Sequence, residues 1–335
     1  MAQRTTLNRQ RTTLFRFRST NNGNQWNDKY HRITTLTNND QPTTNNFVSA
    51  QQTTMIISTL DTGYFKLDGG AMFGIVPKSI WGKLNPPDEK NLCTWAMRCL
   101  LVETEDRKIL VDTGMGDKQD ARFRKHFEPH GEASLMDSLR KKGFAPEDIT
   151  DVFLTHLHFD HCGGAVKMDE TGKLVPAFPK ATYWSNERHY AWAMQPNARE
   201  KASFLQENFV PLQEAGVLRF IPVTDKDVEW LPGISLRFVY GHTEAMMLPM
   251  LTDHEHTYLY CADVIPSSHH IGMPYVMAYD VRPLLTLEEK ARILKEAADH
   301  GYRLIFEHDP VVGCATVVRD EAQHGRIVIG ETITI

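Results

Sequence analysis

Thr155-His156-Leu157-His158-Phe159-Asp160-His161-Cys162-Gly163-Gly164 puts three histidines and an aspartate within six residues, directly after the apolar run Val152-Phe153-Leu154. An apolar strand feeding a tight, ligand-rich loop is the physical reading. On extended backbone, side chains two apart point the same way, so His156 and His158 reach one cation together. Asp160 and His161 follow where the chain turns and face another direction. One short loop thus serves two adjacent ions. Imidazole and carboxylate suit zinc or another borderline divalent cation. A stray surface histidine is usually only solvated. Here the strand in front and Gly163-Gly164 behind, which permit close backbone approach, favour a metal loop.

The His-x-His-x-Asp-His pattern resembles, position for position, the signature of the metallo-β-lactamase superfamily. That resemblance asks for three more ligands downstream, each at a strand end. Gly241-His242-Thr243 follows Leu236–Tyr240, Asp263 follows Tyr258–Ala262, and His308 follows Leu304–Glu307, in the expected order. The fold it implies is an α/β, αββα four-layer sandwich: two mixed sheets face to face, helices outside, metals at one edge. His156, His158 and His242 would hold one ion, and Asp160, His161 and His308 the other, with Asp263 bridging. Asp112, in an Asp-Thr-Gly element after Lys108–Val111, would accept a hydrogen bond from a ligand histidine and fix its tautomer. A turn-forming aspartate before glycine is the plainer reading of the same residue.

Composition sets the bounds. The chain has 335 residues with 41% hydrophobic and 24% charged, ordinary for a globular protein. A net charge of −5 argues against a nucleic-acid surface. No apolar run approaches the ~18–20 residues of a membrane span, and no secretory h-region is present, so a cytoplasmic protein is expected. The five cysteines (Cys93, Cys99, Cys162, Cys261, Cys314) form no framework and read as buried free thiols. Residues 1–53 differ from the rest: rich in Thr, Asn and Gln, with seven Lys/Arg against Asp28 and Asp40. Too little apolar surface offsets the entropy of ordering, so a disordered basic extension is expected there and a catalytic domain over 54–335.

Within that domain, Met55–Leu60, Thr94–Val102 and Lys108–Val111 read as strands. Asp68–Gly74 reads as a glycine-rich turn. Its Met72 and Phe73, the following Trp81 and the later Tyr275 are candidate substrate contacts. Leu135–Lys142 reads as a helix closed by Gly143. Residues 187–193 read as a helix capped by Ser185, and 194–214 as helical. Thr286-Leu287-Glu288-Glu289 reads as a capping box opening a helix with a Leu287, Ala291, Leu294, Ala298 stripe, ended by Gly301.

The resemblance implies a dinuclear-zinc hydrolase acting through a metal-bound hydroxide on an ester or lactone; manganese, iron or cobalt are alternative ions. Asp160 and Asp263 are the candidates to carry a proton to the leaving group. The bridging Asp263 is absent from the true β-lactamases of the superfamily. His158 stands where its iron-dependent oxygen-using members place a glutamate, which favours hydrolysis over a mono-iron dioxygenase. The Gly-Gly-Ala-Met-Phe-Gly turn resembles the N-acyl-homoserine lactonase and methyl parathion hydrolase group. One departure stands out: Pro266 replaces the tyrosine that such lactonases carry three residues after the bridging aspartate. Phosphoesterase or organophosphate hydrolysis, glyoxalase II-like thioester hydrolysis, and a non-catalytic binding protein are the alternatives. The expected partner is a small molecule, with no nucleic acid and no membrane; a homodimer is compatible.

Overall fold

The computed structural model describes residues 55–335, so the basic extension expected over 1–53 lies outside the described residues. Chain order runs β1 (Ile56–Asp68), α1 (Gly69–Phe73), α2 (Lys78–Trp81), β2 (Leu92–Glu103), β3 (Lys108–Val111), α3 (Ala121–Phe127), α4 (Leu135–Lys141) and β4 (Asp151–Phe153). Then come α5 (Phe159–Cys162), a small hairpin of β5 (Val166–Met168) and β6 (Leu174–Pro176), β7 (Thr182–Ser185), α6 (Glu187–Met194), α7 (Val210–Glu214) and β8 (Leu218–Phe220). The second half holds β9 (Val228–Leu231), β10 (Ile234–Val239), β11 (Met246–Thr252), β12 (Thr257–Tyr260), α8 (Pro283–His300), β13 (Arg303–Ile305), β14 (Cys314–Asp320) and β15 (Arg326–Ile333).

One sheet has the order β1-β2-β3-β4-β7-β8 and the other β15-β14-β13-β12-β11-β10-β9. Both are mixed. β3, β4, β7 and β8 run parallel, as do β12 and β13, while the remaining pairs are antiparallel. Period-two alternation assigns the faces. Leu100, Val102, Ile109 and Val111 turn inward and share one core with Leu236, Phe238, Met246 and Leu248 of the second sheet. Leu101, Leu110 and Val152 turn outward, where α4, α6 and α7 cover them with Leu139, Ala193 and Leu212. This is the four-layer sandwich that the sequence resemblance implied. All five cysteines are buried and free.

Several local expectations change. The glycine-rich turn is a one-turn helix, α1, capped by Asp68 Oδ1, which accepts from the Ala71 amide at 2.8 Å. Asn186, not Ser185, caps α6: its Oδ1 accepts from the His189 amide at 2.8 Å, and Ser185 ends β7. The helix expected over 194–214 is mostly turns with only α7 at its end. Pro211 lacks an amide proton and its ring blocks the preceding turn. Phe204, Phe209 and Leu212 are nevertheless buried.

The capping box fails in an informative way. α8 begins earlier, with Pro283 in its first turn, and Thr286 and Glu289 are buried inside it. Glu289 holds a neighbouring segment: Oε1 accepts from the Tyr240 amide at 2.7 Å and Oε2 from the Gly241 amide at 3.0 Å. A side chain at Gly241 would put its Cβ 2.3 Å from the Thr286 nitrogen, so only glycine lets this turn lie on α8. The helix therefore buries the face of Glu289, Lys290, Ile293, Leu294 and Ala297, whereas Ala291 of the expected stripe is exposed.

Lys290, fully buried, donates from Nζ to the carbonyls of His270 (3.0 Å), Gly272 (3.0 Å) and Tyr275 (2.8 Å). It pins the segment between β12 and α8. Lys290→Met should strand three carbonyls and lower the unfolding free energy by about 3 kcal/mol. Urea unfolding checks it; a loss under about 1 kcal/mol would show that the segment is held by other means.

Candidate metal centre

Each member of the centre sits at the end of a strand. His156 and His158 follow β4 in extended backbone, and the chain then turns into α5, which carries Asp160 and His161. The turn is tight because Gly163 and Gly164 lie against the 113–115 backbone. A Cβ at Gly163 would stand 2.0 Å from the Met115 carbonyl oxygen, and one at Gly164 2.3 Å from that of Thr113. His242 follows β10, Asp263 follows β12, and His308 follows β13. All seven side chains are buried.

Their ligand atoms fall into two groups. In the first, His158 Nδ1 lies 3.0 Å from His156 Nε2 and 3.2 Å from His242 Nε2. In the second, His308 Nε2 lies 3.3 Å from His161 Nε2 and 3.8 Å from Asp160 Oδ2. Two nitrogens bound to one tetrahedral zinc at its usual bond length are about 3.3 Å apart, so both groups have the spacing of a shared ion. Asp263 joins them. Its Oδ2 is 3.1 Å from His242 Nε2, and its Oδ1 is 3.0 Å from His308 Nε2 and 3.6 Å from His161 Nε2. Yet Oδ1 is buried with no properly directed hydrogen bond. A buried carboxylate oxygen facing two imidazoles without a hydrogen bond is unfavourable unless a cation sits between them. The residues present therefore fit a pair of divalent ions.

Outer partners fix the rings. With Nε2 turned to the ion positions, Nδ1 donates from His242 to Asp280 Oδ1 (2.8 Å) and from His308 to the Ala96 carbonyl (2.8 Å). His156 Nδ1 pairs with Thr155 Oγ1 at 3.1 Å, and that hydroxyl in turn donates to Asp112 Oδ2 at 2.7 Å. Asp112 also accepts from the Thr155 amide at 2.8 Å and lies 3.2 Å from His161 Nδ1. It adopts a left-handed φ of 56° to do so. His161 Nδ1 has a second carboxylate at 3.0 Å, Glu307 Oε2. His158 is the exception: its Nδ1 faces the ion position, and its Nε2 is 3.7 Å from Glu200 Oε1.

Electrostatics follow. Burial and the neighbouring imidazoles hold His156 well below its ordinary pKa, and burial likewise lowers His158. Burial would also lower His242 and His308, but Asp263 beside each reverses the sign and brings them up to about 10 and about 9. Asp263 is driven the other way: despite burial, His242, His161 and His308 hold its carboxyl well below the usual range. Burial, helped by Asp112, pushes Glu307 up to about 7. Burial would raise Glu200, yet His158 and the Thr243 hydroxyl hold it at about 2.

Above the ion positions is a cavity of about 200 Å³. Its walls are Leu67, Met72, Phe127, Phe159, Met277 and Tyr279, with Arg199 and Ser203 as polar edges. Of the four residues expected to contact substrate, Met72 lines it. Phe73, Trp81 and Tyr275 do not; they stack behind it, with Phe73 at 5.3 Å from Trp81, 5.1 Å from His270 and 6.0 Å from Tyr275. Large apolar side chains on a loop near a site were equally compatible with core packing, and here the core took them. Glu200, Asp280 and Glu307 went unread. Glu307 had a signal, an acid next to a ligand histidine in an apolar strand; the other two sit in segments with no distinctive spacing.

Comparison with known proteins places the chain among relatives of the same fold. The chain is 27% identical over 175 residues to an N-acyl homoserine lactonase of Bacillus cereus, a match covering 49% of this chain and 60% of that protein. It is 22% identical over 265 residues to the N-acyl homoserine lactonase AiiB of Agrobacterium fabrum, covering 75% and 92%. A probable metal-dependent hydrolase from Staphylococcus aureus superposes with a TM-score of 0.73 at 26% identity, covering 84% of this chain and 98% of that one. AidC, a dizinc quorum-quenching lactonase, shares the fold with a TM-score of 0.66 at 21% identity, over 85% and 97%. The family model of the Metallo-beta-lactamase superfamily matches residues 98–308, from the middle of β2 to the last histidine of the centre, and the chain belongs to that superfamily.

Proposed function

We propose that the protein is a dinuclear-zinc hydrolase of ester or lactone bonds. The observation that carries the reading is Asp263, whose two buried oxygens face the two histidine groups and whose Oδ1 has no hydrogen-bond partner. His156, His158 and His242 would hold one ion and Asp160, His161 and His308 the other, with Asp263 available to both. Two divalent cations held there would supply Lewis acidity and a water ionised near neutral pH. The chain's own residues do the rest. Asp280, Asp112 and Glu307 orient imidazoles, which keeps the reacting geometry fixed. Asp160 and Asp263 both line the cavity; the two Asp263 oxygens face the two histidine groups, which would leave Asp160 to carry the proton to the leaving group. The apolar walls exclude bulk water and take an acyl chain.

Relatives named as lactonases favour the lactone over other esters. Purified protein should bind about two zinc ions and hydrolyse lactones and aryl esters faster than an aryl phosphotriester. Chelation should abolish turnover and added zinc restore it. Preference for the phosphotriester, or a single bound iron, would refute the assignment. Among the described residues, no helix is long and apolar enough to cross a membrane.

A further inference from the structure

The metal cavity is small for a whole substrate; typical ligand sites run to about 300–1,000 Å³. A second hollow of about 620 Å³ adjoins it, lined by Asp120, Arg122, Phe123, Lys125 and by His126, Phe127 and Ala202. The last three also line the metal cavity, so the two spaces share a wall. That wall is α3, Ala121-Arg122-Phe123-Arg124-Lys125-His126-Phe127, which buries none of its residues. Its Phe123 and Phe127 lie 5.1 and 4.4 Å from Phe159, the residue between His158 and Asp160, and pack on the apolar cluster around it.

The helix is cationic in a chain of net charge −5. Among the described residues, Arg122 and Lys125 are exposed and neither has a carboxylate within ion-pair distance. Of the nearby acids, one caps the helix from within the same hollow and the other is paired with lysines outside it. Asp120 Oδ1 caps the helix by accepting from the Phe123 amide at 2.7 Å, and Glu128 is paired with Lys66 at 3.4 Å and with Lys90 at 2.5 Å. Across the mouth, Arg199 is anchored through Nη2 to the carbonyls of Ala278 (2.5 Å) and Asp280 (3.2 Å), and its remaining N–H groups have no protein partner among the described residues. Unpaired cations left beside a cleft focus its field and select anions.

We infer that the substrate bears an anionic oxygen group, carboxylate or phosphate, on the part remote from the scissile bond, received by Arg122 and Lys125 with Arg199 at the mouth. This rests on the hydrolase reading for the scissile bond but not for the binding. The probes are three anilides, which resist hydrolysis: glutaric acid monoanilide, its phosphate-ended analogue, and neutral pentananilide. Calorimetry on the zinc-loaded full chain should show the better anionic anilide binding about tenfold or more tighter than the neutral one. The advantage should fade between about 0.05 and 0.5 M salt. It should vanish in Arg122→Glu/Lys125→Glu, with neutral binding unchanged. Which anion wins identifies the group. Equal binding of charged and neutral anilides, or no binding of any, overturns the inference. So does an advantage that survives in the variant, because the anion would then be sitting on the metals. Should anionic binding hold while the ester and lactone panel shows no turnover, the hydrolase reading fails and the anion site stands. Arg122→Ala/Lys125→Ala, which adds no new charge, controls for damage to α3.

Discussion

Asp263→Asn is expected to lower kcat/KM by about 10³-fold or more while the protein stays folded. Among the described residues, Asp263 alone turns one oxygen to each histidine group, at 3.1 Å from His242 Nε2 and 3.0 Å from His308 Nε2. The amide keeps size and shape but loses the charge that offsets two neighbouring cations. One of its ends also becomes an NH₂, a donor where a lone pair is needed. Bound zinc should fall from about two to about one per chain, or lower, by elemental analysis. The folded state should survive because Asp263 Oδ1 makes no hydrogen bond that the fold depends on. Near-normal turnover with two ions retained would remove the bridging role and, with it, the two-ion reading.

His161→Ala has a second cost beyond the lost ligand. His161 Nδ1 stands between Asp112 Oδ2 at 3.2 Å and Glu307 Oε2 at 3.0 Å, all three fully buried. Burial opposes its charge, but Glu307, Asp263 and Asp160 outweigh that, so its pKa is well above the ordinary value. Without it, two buried carboxylates face each other uncompensated. In zinc-stripped protein the variant should lose about 3–5 kcal/mol of stability at about pH 8. The sign of the pH dependence follows from Glu307. Its carboxyl is raised from the ordinary value of 4.5 to about 7 even with the imidazole present. The folded state then binds a proton that the unfolded chain releases, so stability falls as pH rises through this window and returns on acidification. Urea titrations at about pH 6 and pH 8 should show the deficit shrinking at the lower value; an equal deficit at both would discard the carboxylate-pair explanation.

What the chain offered in advance came partly from spacing and partly from the family resemblance that the spacing carries. The 156–161 cluster is local, so its ligand geometry is written in consecutive residues. His242, Asp263 and His308 came from the family resemblance, which asks for three further ligands, and each stands after a run of apolar, β-prone side chains. Nothing comparable marks Glu200 or Asp280, which reach the centre from a turn and from a loop by tertiary packing alone. Thr286 and Glu289 show the opposite hazard. Their local pattern is a good helix start, yet both are used across space to seat the turn before His242. The aromatic group at Phe73, Trp81 and Tyr275 carried no periodicity to tell wall from core, and only packing decided it. The cationic face of α3 was likewise invisible, because its meaning lies in what it adjoins.

Four of the seven ligand side chains hang from the loop after β4 in one sheet, and three from the ends of β10, β12 and β13 in the other. Zinc held there, as proposed, would be a rivet driven through the seam between the halves. Its grip scales with supply: at a free concentration of 100 times Kd it adds about 2.7 kcal/mol to the folded state. Heat resistance should therefore track the zinc available to the cell, and starvation should loosen the joint between the two halves before it disturbs either one.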